Sequence, residues 1–168
     1  PGHGIPSVLY AISRRKSTLK RHTMFSALLT SFVTVGFGGS AGLEAPTVQT
    51  TAAMGSTIAA QLKLNYKART LLIGCAAAAS LAAIFKAPVA AIIFAVEVIM
   101  IDLTTASLVP LLLASISALL TSSFFLGEDV LLHYSLRDPY QFEDTHFYIL
   151  LGILTGIFSV YFNKIYHI

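Results

Sequence analysis

The chain has 168 residues, of which 55% are hydrophobic and only 11% charged, against about 25% charged residues in a soluble domain. Its mean hydropathy of +0.76 comes from long uncharged runs rather than the short alternating segments of an outer-membrane barrel, so the sequence predicts membrane-spanning helices. A scattered net charge of +3 with no Trp excludes a nucleic-acid binder, and the single Cys75 forms no intrachain disulfide and has no metal-ligand spacing.

A spanning helix needs about 20 mostly apolar residues, because each residue rises 1.5 Å across a core of about 30 Å. Pro1 opens the chain without a leader pattern, so its start reads as the middle of a longer protein. Gly2, His3, Gly4, Ile5 and Pro6 stand ahead of a short apolar segment over 7–12. That segment is too short to span. It can be read as a re-entrant helix whose glycine-rich start lines a cavity at membrane depth, or as a loop and surface helix joined to the basic cluster that follows.

Arg14, Arg15, Lys16, Lys20 and Arg21 precede the first candidate span, 23–36, which ends in Gly36, Gly38, Gly39 and Gly42. Pro46 opens a second candidate over 46–62, at a first-turn position where its missing N–H costs nothing. Lys63, Lys67 and Arg69 follow it. The third candidate, 70–85, is rich in Ala with Gly74 and Ser80, residues that let membrane helices pack closely. Lys86 and Ala87 separate it from a fourth, 88–100, which is short for a full span, so the two resemble a broken pair. The fifth, 108–126, sits in the longest uncharged run. A connection containing Glu128, Asp129, Arg137, Asp138, Glu143 and Asp144 leads to the sixth, 147–166. Both basic loops are expected on the cytoplasmic side, and counting spans from there puts the acidic connection outside.

The stretch 39–49, reading GSAGLEAPTVQ, places an acid at a helix start inside an otherwise uncharged region. Ionisable groups within membrane helices cost about 2.5 to 3.5 kcal/mol by insertion scales and mark ion or proton pathways. The helix opened near Pro46 carries free N–H groups and about half a positive charge at its start, which favours an anion. Either chloride or the Glu44 carboxylate can occupy that start. Competition between them is a physical gate; the plainer reading is that Glu44 only caps free N–H groups. A third helix opening, Phe85, Lys86, Ala87 and Pro88, leads to Glu97 near the end of its segment, where an acid can equally be structural. His22, His133, His146 and His167 fall near span ends or in loops, without ligand spacing.

Two other classes are weighed. An intramembrane hydrolase would draw on Glu44, Glu97, Asp102 and His22, but no G-x-S-x-G, H-E-x-x-H or catalytic aspartate pair is present. A helix bundle serving only assembly would leave anion flux unchanged in a Glu44→Gln variant.

Three segments in order carry a resemblance to the CLC chloride channels and transporters. The family pattern GSGIP is met by Gly2, His3, Gly4, Ile5 and Pro6, and GREGP by Gly42, Leu43, Glu44, Ala45 and Pro46, followed by Thr47, Val48 and Gln49. The F-x-A-P segment is met by Phe85 through Pro88, continuing to Phe94 and Glu97, and similarity continues from Gly152 to Lys164.

The resemblance implies an all-α integral membrane protein of tilted and broken helices, in the plasma membrane or a bacterial inner membrane. The chain would be the first half of an inverted-repeat chloride channel fold and a single transmembrane region over 1–168. It further implies Glu44 as the gate, anion contacts from His3, Gly4, Ile5, Gly42 and Ala45, bound chloride with no other cofactor or metal, and a parallel homodimer with one pore per subunit. The dimer contact is expected over 88–100, opened by Pro88 and closed by Met100, and over 108–126, from Leu108 to Leu126.

Two positions depart from the family pattern. His3 replaces the serine that coordinates the central ion, although an imidazole N–H can also donate to an anion. Val98 stands where proton-coupled members carry an inner glutamate, so a passive channel is expected; Glu97, one residue away, is the possible substitute relay that would make the protein a proton/chloride antiporter.

Overall fold

The computed structural model describes residues 4–99, 104–127 and 141–166. Among them there are seven α-helices and no strand: α1 Ile5–Arg14, α2 Thr23–Gly36, α3 Glu44–Gln61, α4 Tyr66–Phe85, α5 Pro88–Ile99, α6 Thr105–Leu126 and α7 Thr145–Tyr166. His3, Met100, Asp102, Glu128, Asp129, His133, Arg137, Asp138 and His167 lie outside the described residues. The chain divides into two units, Pro1–Leu132 and His133–Ile168. In the second, a 3-10 turn at Phe142–Asp144 leads into α7, with the Thr145 hydroxyl donating to the Phe142 carbonyl at 2.7 Å.

By length and composition, three helices can cross a membrane: Tyr66–Phe85, Ala106–Leu126 and Phe142–Tyr166. α2 and α5, with 14 and 12 residues, are shorter. The unequal lengths match the expectation of an irregular helical membrane protein rather than a regular bundle.

α4 forms the centre of the first unit, packing against α3, α5 and α6. Its Ala-rich sequence explains this position. Ala77, Ala78 and Ala82 are completely buried, as are Ala52 and Ala53 of α3 and Ala95 of α5, because side chains this small let helix backbones approach closely. The closest approach is at Gly55 of α3, where a Cβ would lie 3.0 Å from the Leu72 carbonyl oxygen and 3.2 Å from the Ala76 Cβ. Many hydroxyls in these apolar helices are met internally, although the buried Thr50 and Ser115 hydroxyls have no partner among the described residues. Thr30, Thr51, Thr57, Ser117 and Thr121 each donate to the carbonyl four residues earlier, which removes the cost of an unpaired polar group in lipid.

Helix boundaries differ from the sequence expectation for local reasons. α1 is longer than 7–12, because Pro6 fits its first turn and Arg14 closes its last. α4 starts at Tyr66 instead of residue 70, since the Asn65 side chain accepts from the Ala68 N–H at 2.9 Å and caps the helix. Lys67 and Arg69 are therefore helical. α6 starts at Thr105, capped through a reciprocal Thr104 and Ser107 arrangement. The break between α4 and α5 is at Lys86, whose φ of 54° is left-handed. Its Nζ donates to the Gly127 carbonyl at 2.7 Å and lies 3.0 Å from the Ser123 Oγ, which fastens the break to the end of α6.

The two basic segments meet at one end of the first unit. Tyr66 donates its hydroxyl to the Ile12 carbonyl at 3.2 Å, Arg69 donates to the Thr18 Oγ1 at 2.9 Å, and the Ser17 and Thr70 hydroxyls are 2.6 Å apart. Buried Ser56 of α3 accepts from the Leu19 N–H at 3.0 Å and donates to the Ser17 carbonyl at 2.9 Å. The 15–22 loop is thereby fixed against α3 and α4.

Candidate anion site at three helix openings

α1 and α3 begin side by side. The Gly4 N–H donates to the Gln49 Oε1 at 2.9 Å in a buried contact, and a Cβ on Gly4 would lie 3.2 Å from the Ala45 Cβ. Gly4 itself has φ 77° and ψ −145°, a conformation essentially restricted to glycine. Glycine is thus needed both for the turn into α1 and for contact with α3.

The donors at the two starts follow from proline placement. Pro6 and Pro46 have no N–H, the Ser7 N–H returns to the Gly4 carbonyl, and the Thr47 N–H returns to the Leu43 carbonyl. Neither helix has a side-chain cap. The N–H groups of Ile5, Glu44 and Ala45 consequently have no hydrogen-bond partner among the described residues. They are the orphan donors that give a helix start its affinity for anions.

Ile5 and Glu44 line one cavity of about 340 Å³ together with Phe85, Ala87, Ala91 and Phe94. The third sequence segment therefore faces the first two. The cavity walls are otherwise apolar, and Lys86, the cation next to them in sequence, directs its ammonium away to Ser123 and Gly127. Positive polarity at the site thus comes from backbone N–H groups rather than from a cationic side chain.

The Glu44 carboxylate folds back toward its own helix start. A Cβ on Gly42 would lie 2.8 Å from the Glu44 Oε2, so the bare Cα of Gly42 provides the room that the carboxylate uses. Glu44 is exposed in this chain and its carboxylate has no hydrogen-bond partner among the described residues. Such a side chain is free to occupy or leave the helix start.

The structure thus brings Gly4, Ile5, Gly42, Glu44 and Ala45 into one neighbourhood, while His3 lies outside the described residues. Glu97 and Val98 sit farther along α5, exposed and half-buried respectively, and neither lines this cavity. Sequence reasoning gave no role to Gln49, which holds the two helix starts together. Gln49, the one amide side chain in the interior of a helix otherwise apolar or hydroxyl-bearing between Glu44 and Gln61, was the signal to follow. Among the described residues no group of His, Cys, Asp or Glu is arranged to hold a metal.

The description "Voltage gated chloride channel" matches residues 1–168. The chain is 27% identical over 161 residues to a putative chloride channel protein ClcB-like of Ralstonia nicotianae, covering 94% of this chain and 38% of that protein. It is 28% identical over 165 residues to the H(+)/Cl(-) exchange transporter ClcA of Vibrio cholerae, covering 96% and 35%. With the voltage-gated ClC-type chloride channel ClcB of Yersinia pseudotuberculosis it shares 32% identity over 137 residues, covering 81% and 33%. The chain therefore spans about a third of the length of these relatives. No solved structure matches it significantly. The match over every residue, the all-helical fold and the apolar helices long enough to span a bilayer place this chain, an integral membrane segment, in the voltage gated chloride channel family.

Proposed function

We propose that the protein carrying this chain conducts chloride passively across a membrane, with Glu44 as the gate. The observation that carries this reading is the meeting of the α1 and α3 starts, with unpaired Ile5, Glu44 and Ala45 N–H groups, around a cavity that Glu44 itself lines. A chloride ion and the Glu44 carboxylate compete for the same positive helix start, so protonation or displacement of the carboxylate opens the path. His3, Gly4, Ile5, Gly42 and Ala45 are the proposed anion-contacting neighbourhood. Chloride is the transported substrate, and no catalysed reaction is involved.

The second reading is proton-coupled exchange, favoured by the exposed carboxylate of Glu97 beside Val98 and by the exchange transporter named among the relatives. Valine cannot relay a proton, so this reading requires Glu97 to do so. The experiment is proton uptake by lightly buffered vesicles containing the full-length protein under an imposed chloride gradient. Chloride movement without uphill proton movement supports the channel. Sustained proton uptake that is lost in Glu97→Gln replaces it with the antiporter.

The protein is further proposed to be a homodimer joined through 88–100 and 108–126. α5 exposes Val89 and Ile93, while α6 exposes Val109, Leu113 and Leu120, leaving apolar faces for a second copy. Single cysteines at Ile93 or Leu113 are expected to crosslink subunits in the membrane. The proposed location is the plasma membrane or a bacterial inner membrane.

A further inference from the structure

A second cavity lies at the basic end of the first unit, between α1, α4, the end of α5 and the start of α6. Its volume is about 780 Å³, within the range of sites that hold small organic ligands. Leu9, Ile12 and Leu71 contribute apolar wall, while Tyr10, Tyr66 and Lys67 contribute polar rim. No acidic residue lines it among the described residues.

The rim is built. Tyr66 is fixed to the Ile12 carbonyl at 3.2 Å, and the Arg15 guanidinium lies 5.5 Å from the centre of the Tyr10 ring, within cation–π range. Lys67 is exposed, and its ammonium has no partner among the described residues. Arg14, Lys16, Lys20, Arg21 and Lys63 are exposed on the adjoining loops and helix ends. The sequence holds no Asp or Glu over 1–43 or 45–96, so α1, the basic loop and α4 supply no carboxylate, and Glu97, exposed near the end of α5, does not line the cleft. A cleft with an apolar wall, the hydroxyls of Ser13, Thr70, Thr104 and Ser107, and a cationic rim, at the end of a membrane unit, is chemically matched to a molecule having one or more apolar chains and an anionic head.

We propose that this cleft binds an anionic phospholipid of the cytoplasmic leaflet, with an acyl chain against Leu9, Ile12 and Leu71 and the phosphate beside Lys67 and Arg15. The charge complementarity favours this occupant over a zwitterionic lipid, because each Lys or Arg near an anionic headgroup strengthens its attraction. The apolar depth favours lipid over free phosphate, which would gain nothing from the walls. The fixed loop presents the cations without requiring the loop to order on binding.

The test is binding of phosphatidylglycerol to the full-length protein in detergent, measured by native mass spectrometry, with phosphatidylcholine and inorganic phosphate as comparison probes. Saturable binding of phosphatidylglycerol is expected, with Lys67→Gln weakening it about fivefold and phosphate failing to compete. Ala106→Trp, at an exposed position lining the cleft, is expected to abolish binding by filling the space. Lys67→Gln provides a separate reading if the tryptophan variant misfolds. Equal binding of the two lipids, full competition by phosphate, or phosphatidylglycerol binding unchanged in Lys67→Gln would overturn the proposal; equal binding is also the outcome if another segment of the full-length protein fills the cleft.

Discussion

Replacing Gly4 by alanine tests the joined helix starts most directly. With φ 77° and ψ −145°, the position strains any residue bearing a Cβ, at a cost of about 1 to 3 kcal/mol. The new methyl would also stand 3.2 Å from the Ala45 Cβ, so α1 must shift away from α3 and lengthen the 2.9 Å bond from the Gly4 N–H to Gln49. Denaturant unfolding of the full-length protein in detergent, paired with chloride efflux from loaded vesicles, should show both a loss of stability and reduced flux. Combining Gly4→Ala with Ala45→Gly removes the methyl contact but leaves the backbone strain, so recovery should be partial. Gly36→Ala is the control, because its Cβ would meet no atom within 4 Å. Wild-type stability and flux in Gly4→Ala would refute the reasoning.

If Glu44 is the gate proposed above, Glu44→Gln removes the competing charge and should make chloride flux in the full-length protein less dependent on external pH than in the wild type; an equal pH response in the variant would count against the gate. Gly55→Ala should destabilise by about 1 to 3 kcal/mol, measured by denaturant unfolding, because the obstructing atoms include the Leu72 carbonyl oxygen at 3.0 Å and backbone cannot simply rotate aside. Ser56→Ala should cost a similar ~1 to 3 kcal/mol by leaving the Leu19 N–H and Ser17 carbonyl without their buried partner, and limited proteolysis should then cut the basic loop faster. Lys63 and Lys86 both have positive φ, at 53° and 54°, so glycine relieves each backbone. Lys63→Gly should raise the unfolding midpoint, whereas Lys86→Gly should not, because it also loses the contacts to Ser123 and Gly127.

The helices were legible because uncharged runs in lipid must be helical, and their ends were marked by Gly36, Pro88 and the glycines after α2. The start of α4 was hidden because Lys67 and Arg69 look like loop residues in a hydropathy reading, although long cationic side chains can leave a helix end for water or polar partners. Asn65 was the overlooked cap. For the candidate site, the repeated combination of glycine and proline marked both helix openings, and Glu44 was conspicuous as a lone acid. Their contact was not legible, because it rests on Gly4 meeting Gln49 across 45 residues, a separation that local pattern does not encode. The direction of the Lys86 ammonium, which leaves the cavity to backbone donors, likewise depends on α6 returning beside the break.

The ties of α1 also dictate an order of assembly. It has 10 residues, too few to hold a helix alone in water, and it is synthesised before α3 and α4, the helices it is tied to here. Val8 and Ala11 cluster with Ala52, Ala53 and Ile73, and Ile12 waits 54 residues for Tyr66. Its docking therefore comes after α3 and α4 have been synthesised, and the pairing of the two helix starts is a late event in the folding of this unit. The same dependence makes α1 a natural unit of partial opening: its amides should exchange hydrogen sooner than those of α4, and each such opening would dismantle one side of the candidate anion site while the α3–α4 core stays folded.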